Sequence, residues 1–246
     1  MTIRPIDESQ RTAARVAGFT GLLMMAVVVF ANFGIHERLM VAGDAAATAR
    51  NILAHETLFR INIACFLIYC IGIVVLLTAL YMILKPVNRS LALLAAFFRL
   101  VYGLTWIVIA LNLFEALRLL SGADYMRVFE TDHLQALARL SQATSFDVYY
   151  VGLLFYALAS TLCSYLWFKS NYIPRSLAGF GVISSVFCVA CTFVFIIFPG
   201  FAKIVNLWWF DSPMAIFEIA TSFWLLFKGL RPYRTSEPER APADAT

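Results

Sequence analysis

"LALLAAFFRLVYGLTWIVIALNLFEALRLL", residues 91–120, reads as one apolar helix with a guanidinium, that of Arg99, set deep inside its first half. A bilayer-spanning helix needs about 20 mainly apolar residues, because lipid offers no hydrogen bonds to open backbone. A charge near the middle of such a helix costs about 2.5–3.5 kcal/mol on insertion scales, so it faces protein and a partner. The stretch therefore implies two things at once: a membrane setting, and neighbouring helices that receive the arginine.

The composition agrees. Of 246 residues, 61% are hydrophobic and 14% charged, and the mean hydropathy is +0.79. Soluble domains run near 45–50% apolar and about 25% charged, so this apolar surplus is too large for one water-soluble core. Six stretches qualify as spans, 16–35, 58–84, 91–120, 145–168, 175–198 and 205–227. "KPVNRS" (85–90) and "KSNYIPRS" (169–176) separate neighbours with proline and basic residues, which end helices and mark the interface. The first apolar run is longer than a signal-peptide core, so it is expected to stay as an anchor.

Lysine and arginine set the orientation. Eleven of the nineteen fall in the N-terminus, the 85–90 and 169–175 loops and the C-terminal tail. Six lie in the opposite loops, with Arg60 opening span two. Both termini are thus expected in the cytoplasm, with residues 1–15 as an N-terminal segment, 16–230 as the transmembrane domain and 231–246 as a disordered tail. On the outer side Asp44 reads as the N-cap of a short helix over 45–55. Met126, Phe129, His133, Leu137 and Leu140 recur at three and four, the period of an amphipathic helix lying on the membrane surface or capping the bundle. The expected fold is an all-α integral membrane protein: a six-transmembrane-helix bundle with short outer amphipathic helices. "NLWWF" (206–210) reads as an outer interfacial anchor.

Several segments carry a resemblance. "AARVAGFTGLL", "VAGDAAATARNILAHETLFRINI", "LYMILKPVNRSLALLAAFFRLV", "YLWFKSNYIPRSLAGF" and "FEIATSFWLLFKGL" resemble a family of bacterial membrane proteins catalogued as domain of unknown function 4386, in order from about residue 13 to 231. Asn171 departs from the pattern, where glycine is common in the family. The resemblance implies six spans and a bacterial inner membrane, and no activity.

Depth along the helices suggests a partner for Arg99. At 1.5 Å per residue Arg99 lies about 12 Å from the start of its span, and Glu218 about 14 Å from the matching end of the last one. Nothing else acidic stands at that level, so an Arg99–Glu218 pair is expected between spans three and six. Phe97, Phe98, Tyr102 and Trp106 surround Arg99 in sequence and are read as ordinary lipid-facing or core packing, with stacking on the arginine or on a ligand as the alternative. A second polar set belongs to the outer half. Glu115 and Arg118 share a face at i and i+3, with Asn112 one turn below. Arg60 and Asn62 enter span two, Asp147 opens span four, and Asp44, His55 and Glu56 come from the first loop. These are read either as wetted interfacial residues or as a polar vestibule leading to a site.

The residue list argues against sharper chemistries. His36, His55 and His133 all lie in outer segments, where they do not suit a bis-histidine haem, and no lysine stands within a span for a Schiff base. A metal gathered by His36, His55 and Asp44 is a minor alternative. The five cysteines sit in apolar runs as an odd number, and Cys188–Cys191 has no second pair to complete a metal site. The formal charge of +4 is too small and too scattered for nucleic acid. No cofactor is implied; the expected partners are membrane lipids and a lipid-like ligand, and an oligomer is left open. The favoured reading is a non-enzymatic protein that binds or moves an amphipathic or lipid-like molecule between spans. Arg99, Glu218, Asn112, Glu115, Arg60 and Asp147 are its candidate residues. A membrane enzyme using an intramembrane carboxylate, or an accessory subunit of a membrane complex, are the alternatives.

Overall fold

A computed structural model describes residues 2–4, 6–122, 124, 128–198, 200–201, 204–206 and 208–235, with the backbone alone for 2–4, 208 and 233–235. The order begins with a short strand β1 (Thr2–Arg4) and α1 (Glu8–Val29), which runs on through a π-helical segment (Phe30–His36) into α2 (Glu37–Leu39). Then follow α3 (Ala45–Ala54), α4 (Glu56–Leu84), α5 (Arg89–Leu120), α6 (Thr131–Ser170), α7 (Arg175–Ile197), α8 (Trp208–Phe227) and β2 (Tyr233–Thr235).

Local chemistry fixes the helix starts. Asp7 closes a capping box on α1 with Gln10, so that side chain and backbone satisfy each other in both directions. Asn88 caps α5 by accepting from Leu91 N (3.0 Å), and Asp44 caps α3 by accepting from Ala47 N (2.8 Å). Asn171 ends α6 in the left-handed region (φ 56°), a conformation that glycine reaches without strain and asparagine tolerates. That accounts for the position at which this chain departs from the family pattern.

Among the described residues five helices are long and apolar enough to cross a membrane: Glu8–Leu39, Glu56–Leu84, Arg89–Leu120, Thr131–Ser170 and Arg175–Ile197. They match the first five expected stretches. Large apolar side chains such as Phe19, Ile71, Leu111 and Ile183 stand exposed on the helix surfaces, which marks the chain as a membrane protein. The sixth stretch is α8, whose twenty residues include Asp211, Pro213 and Glu218; its two carboxylates and proline lower its hydropathy below that of the others.

The long helices close a ring, in which α1 packs on α4, α4 on α5, α5 on α6, α6 on α7, α7 on α8, and α8 back on α1. The α1–α8 seam is tight. A Cβ at Gly18 would meet Leu226 N and Ser222 O at 2.7 Å, so only glycine lets these backbones approach so closely. One end of the ring gathers both chain ends. There β1 pairs antiparallel with β2, Gln10 Nε2 donates to Ile83 O (3.3 Å) and to Tyr172 Oη (3.2 Å), and Arg231 N donates to Tyr172 O. At the other, far end α3 packs on α6 and touches α4 and α5.

Three expectations need correction. Residues 8–15 belong to α1 instead of a separate N-terminal segment. Tyr233–Thr235, placed in a disordered tail by composition, pair with the N-terminal strand; residues 236–246 lie outside the described residues. The outer amphipathic helix is not separate either: Thr131–Ser170 is one helix of 40 residues. No glycine or proline stands between residues 131 and 151 to break it. Its inward face there is Ala138, Ser141, Gln142 and Ser145, while Leu137 and Leu140 are exposed. Small residues let α6 approach α5 closely, and that packing outweighs the apolar period. Of that periodic set Met126 lies outside the described residues, as do Lys203 and, in the expected aromatic anchor, Leu207.

Candidate functional site

Arg99 projects from α5 into the ring and is 4% exposed. Its Nη2 donates to Glu218 Oε1 of α8 at 2.8 Å and to Ser160 Oγ of α6 at 3.0 Å. The guanidinium carbon lies 5.4 Å from the ring centroid of Tyr156. The helices bearing the ion pair, α5 and α8, are not neighbours in the ring, so the contact crosses its interior. The arginine's ring partner is thus Tyr156 on α6, not the sequence neighbours of Arg99. Phe97 is exposed, and Phe98 packs against Phe155. Helix geometry sends adjacent residues to different faces, so these two keep to ordinary packing, while Tyr102 and Trp106 line a cavity.

Tyr156 also lines a cavity of about 210 Å³ inside the ring. Tyr69, Tyr102, Trp106 and Tyr149 line it with Tyr156. Their rings form one connected cluster, with Tyr69–Trp106 centroids 4.6 Å apart, Tyr102–Tyr156 4.9 Å and Trp106–Tyr149 6.0 Å. The Tyr69 and Tyr102 hydroxyls share a hydrogen bond (3.2 Å), and Tyr149 Oη donates to Asp211 Oδ2 (2.9 Å). The π-helical segment forms one side, where Asn32, Phe33 and His36 line the cavity. A π-turn inside an α-helix is frequent at functional sites, because it rotates side chains out of the regular register. Val29, Phe33 and Phe146 both line the cavity and are 45%, 43% and 47% exposed, so they form its rim.

Three polar atoms of this lining, His36 Nδ1, Trp106 Nε1 and Gln142 Oε1, are buried without a hydrogen-bond partner among the described residues. Buried polar groups are nearly always satisfied in native proteins, and exceptions call for an explanation such as a bound molecule. A separate, smaller pocket of about 40 Å³ holds Arg99, Ser160, Glu218 and Thr221, with room for an ordered water or two.

Of the six candidate residues read from the sequence, Arg99 and Glu218 come together in the smaller pocket, the other four do not join them, and none of the six lines the larger cavity. Glu115 Oε2 accepts from Ser141 Oγ (2.8 Å), which also reaches Asn112 O (2.8 Å). Arg60 pairs with Glu56 one helical turn away (2.7 Å) on an exposed face, and Asp147 is exposed. Asp44 caps α3, and His55 Nδ1 meets Asn51 O (3.1 Å). The expected vestibule thus resolves into local contacts. No group of three metal-ligating side chains forms among the described residues, so His36, His55 and Asp44 do not gather. All five cysteines are free.

The cavity residues missed in the sequence are Tyr69, Tyr156, Gln142 and Asp211, while His36 enters that reading only as a minor metal candidate and Tyr149 only as a neighbour of Asp147. One signal was available: Gln142, Ser145, Tyr149 and Tyr156 repeat at three, four and seven along α6, a polar and aromatic stripe on a helix otherwise fit for lipid.

Residues 16–229 match the model of a family described as "Domain of unknown function (DUF4386)". An uncharacterized protein of Archaeoglobus fulgidus is 26% identical over 165 residues, covering 67% of this chain and 80% of that protein. No solved structure matches the chain.

Proposed function

The chain belongs to the DUF4386 family, and we propose that it is a six-span protein of the bacterial plasma membrane that binds, or moves, an amphipathic or lipid-like small molecule inside its helix ring. The observation that carries this reading is the cavity of about 210 Å³ with buried polar atoms in an otherwise aromatic lining. Ligand pockets have this make-up, mostly apolar walls with a few convergent polar groups. The rim of half-exposed apolar residues would admit a molecule from the lipid phase.

In this reading α8 is the sixth span, with its intramembrane charge neutralised by Arg99 at one level and its Asp211 shielded inside the ring at another. Both termini face the cytoplasm, supported by the excess of lysine and arginine at that end. Arg99 and Glu218 serve the site indirectly: the guanidinium is held by Glu218 and Ser160, and with them it fixes the ring of Tyr156 that floors the cavity.

Native mass spectrometry of the protein, extracted gently from its own membrane, tests the reading beside Ala215→Phe. Ala215 lines the cavity from α8, and a phenyl group there fills it. A bound small molecule in the parent that is lost in the variant supports the proposal. A folded parent with no adduct, matching the variant, refutes it and favours an accessory role.

A further inference from the structure

We infer that the cavity takes a cation, namely a protonated or quaternary amine carried on an apolar or aromatic body. The inference rests on the reading above, that the cavity holds a small molecule, and it names the class.

Charge comes first. Asp211 supplies the cavity lining with its one carboxylate among the described residues, and forms no ion pair among them. Its hydrogen bond comes from a neutral phenol, Tyr149 Oη at 2.9 Å. An ionised carboxylate has about four acceptor sites, so one donor leaves most of them open. A carboxylate that stays ionised among apolar walls is costly unless a cation meets it. Arg99 is not that cation, because it is bound to Glu218 and Ser160 in a separate, smaller pocket.

The rings point the same way. Tyr69, Tyr102, Trp106, Tyr149 and Tyr156 all line the cavity, and the electron-rich faces of aromatic rings attract ammonium groups. Tryptophan is the strongest of them in this respect. His36, bare at Nδ1, accepts an N–H of the ligand when that nitrogen carries no proton. An anion finds no guanidinium or ammonium in this lining, and a neutral molecule leaves an ionised Asp211 without a counter-charge. Size also fits: a cavity of about 150 Å³ admits benzene, and this one measures about 210 Å³.

The test uses three water-soluble probes with one benzyl body: benzyltrimethylammonium, benzyl alcohol and phenylmethanesulfonate. Binding is read by calorimetry on the full chain in lipid nanodiscs. The ammonium probe is expected to bind about tenfold more tightly than either of the others, in line with cation–π and charge contributions at a desolvated site. Asp211→Asn removes that preference. Trp106→Leu weakens the ammonium probe more than the alcohol, which guards against a variant that simply fails to fold. Equal or tighter binding of the alcohol or the sulfonate overturns the cation and leaves the small-molecule site standing. Failure of all three probes overturns the cation as well. In that case the adduct sought by native mass spectrometry decides separately whether the cavity binds anything.

Discussion

Arg99 gives one nitrogen to two acceptors, Glu218 and Ser160, and keeps its Nε buried without a partner among the described residues. The pair is enclosed, with side-chain exposures of 5% and 21%. Removing one member of such a pair strands the other charge, at a cost of about 3–5 kcal/mol, whereas replacing both with apolar residues is often neutral. Arg99→Ala is therefore expected to lower the melting temperature of the protein in nanodiscs steeply, and Arg99→Leu with Glu218→Leu to recover most of the loss. If the double variant melts no higher than the single one, the arginine matters for something besides its charge partner. This pair was legible in the sequence because both charges lie deep inside apolar runs, where each needs an explanation. Asp211 was not, since a carboxylate near a helix end passes for an interfacial residue. Tyr69, Tyr149 and Tyr156 look in sequence like ordinary membrane aromatics, and only their convergence from different helices makes a site of them.

Among the elements, α6 and the α1–α8 seam carry most of the surprise. The apolar period over 129–140 pointed to a helix lying on the membrane surface or capping the bundle, yet from Thr131 the chain is part of one helix, about 60 Å long at the standard rise. Periodicity reports which side is apolar, and it does not report whether that side meets lipid, water or protein. Helix existence was readable from hydropathy, since every expected stretch is helical over most of its length. The π-helical segment was not, because "FANFGIH" carries no residue that demands a wider turn. The seam depends on Gly18. Gly18→Ala drives a methyl group into backbone atoms of α8, and overpacking of this kind costs about 1–3 kcal/mol. A fall in the nanodisc melting temperature is expected; an unchanged one would mean that α1 and α8 can separate without loss.

For the molecule as a whole, the ring and its orientation are separate matters. The closed order of helices follows from packing alone, while the side on which each loop lies rests on basic residues. Cysteine labelling in intact cells with a membrane-impermeant maleimide checks the latter, because the native cysteines all lie within α4, α6 and α7. Asp44→Cys is expected to label from outside and Pro86→Cys only after the cells are opened. The reverse pattern would invert the molecule.

The ion pair between two helices that do not touch has a mechanical consequence. It is a spoke across a wheel, and it stands toward the end where the chain's two ends are also tied together by strand pairing. A barrel braced at one rim can flare only at the other. Traffic into and out of the hollow should therefore use the unbraced rim, by small outward tilts of the staves there. Paired spin labels across the ring would report broad distances near α3 and narrow ones near the strand ribbon; equal widths at both rims would mean that the spoke braces nothing.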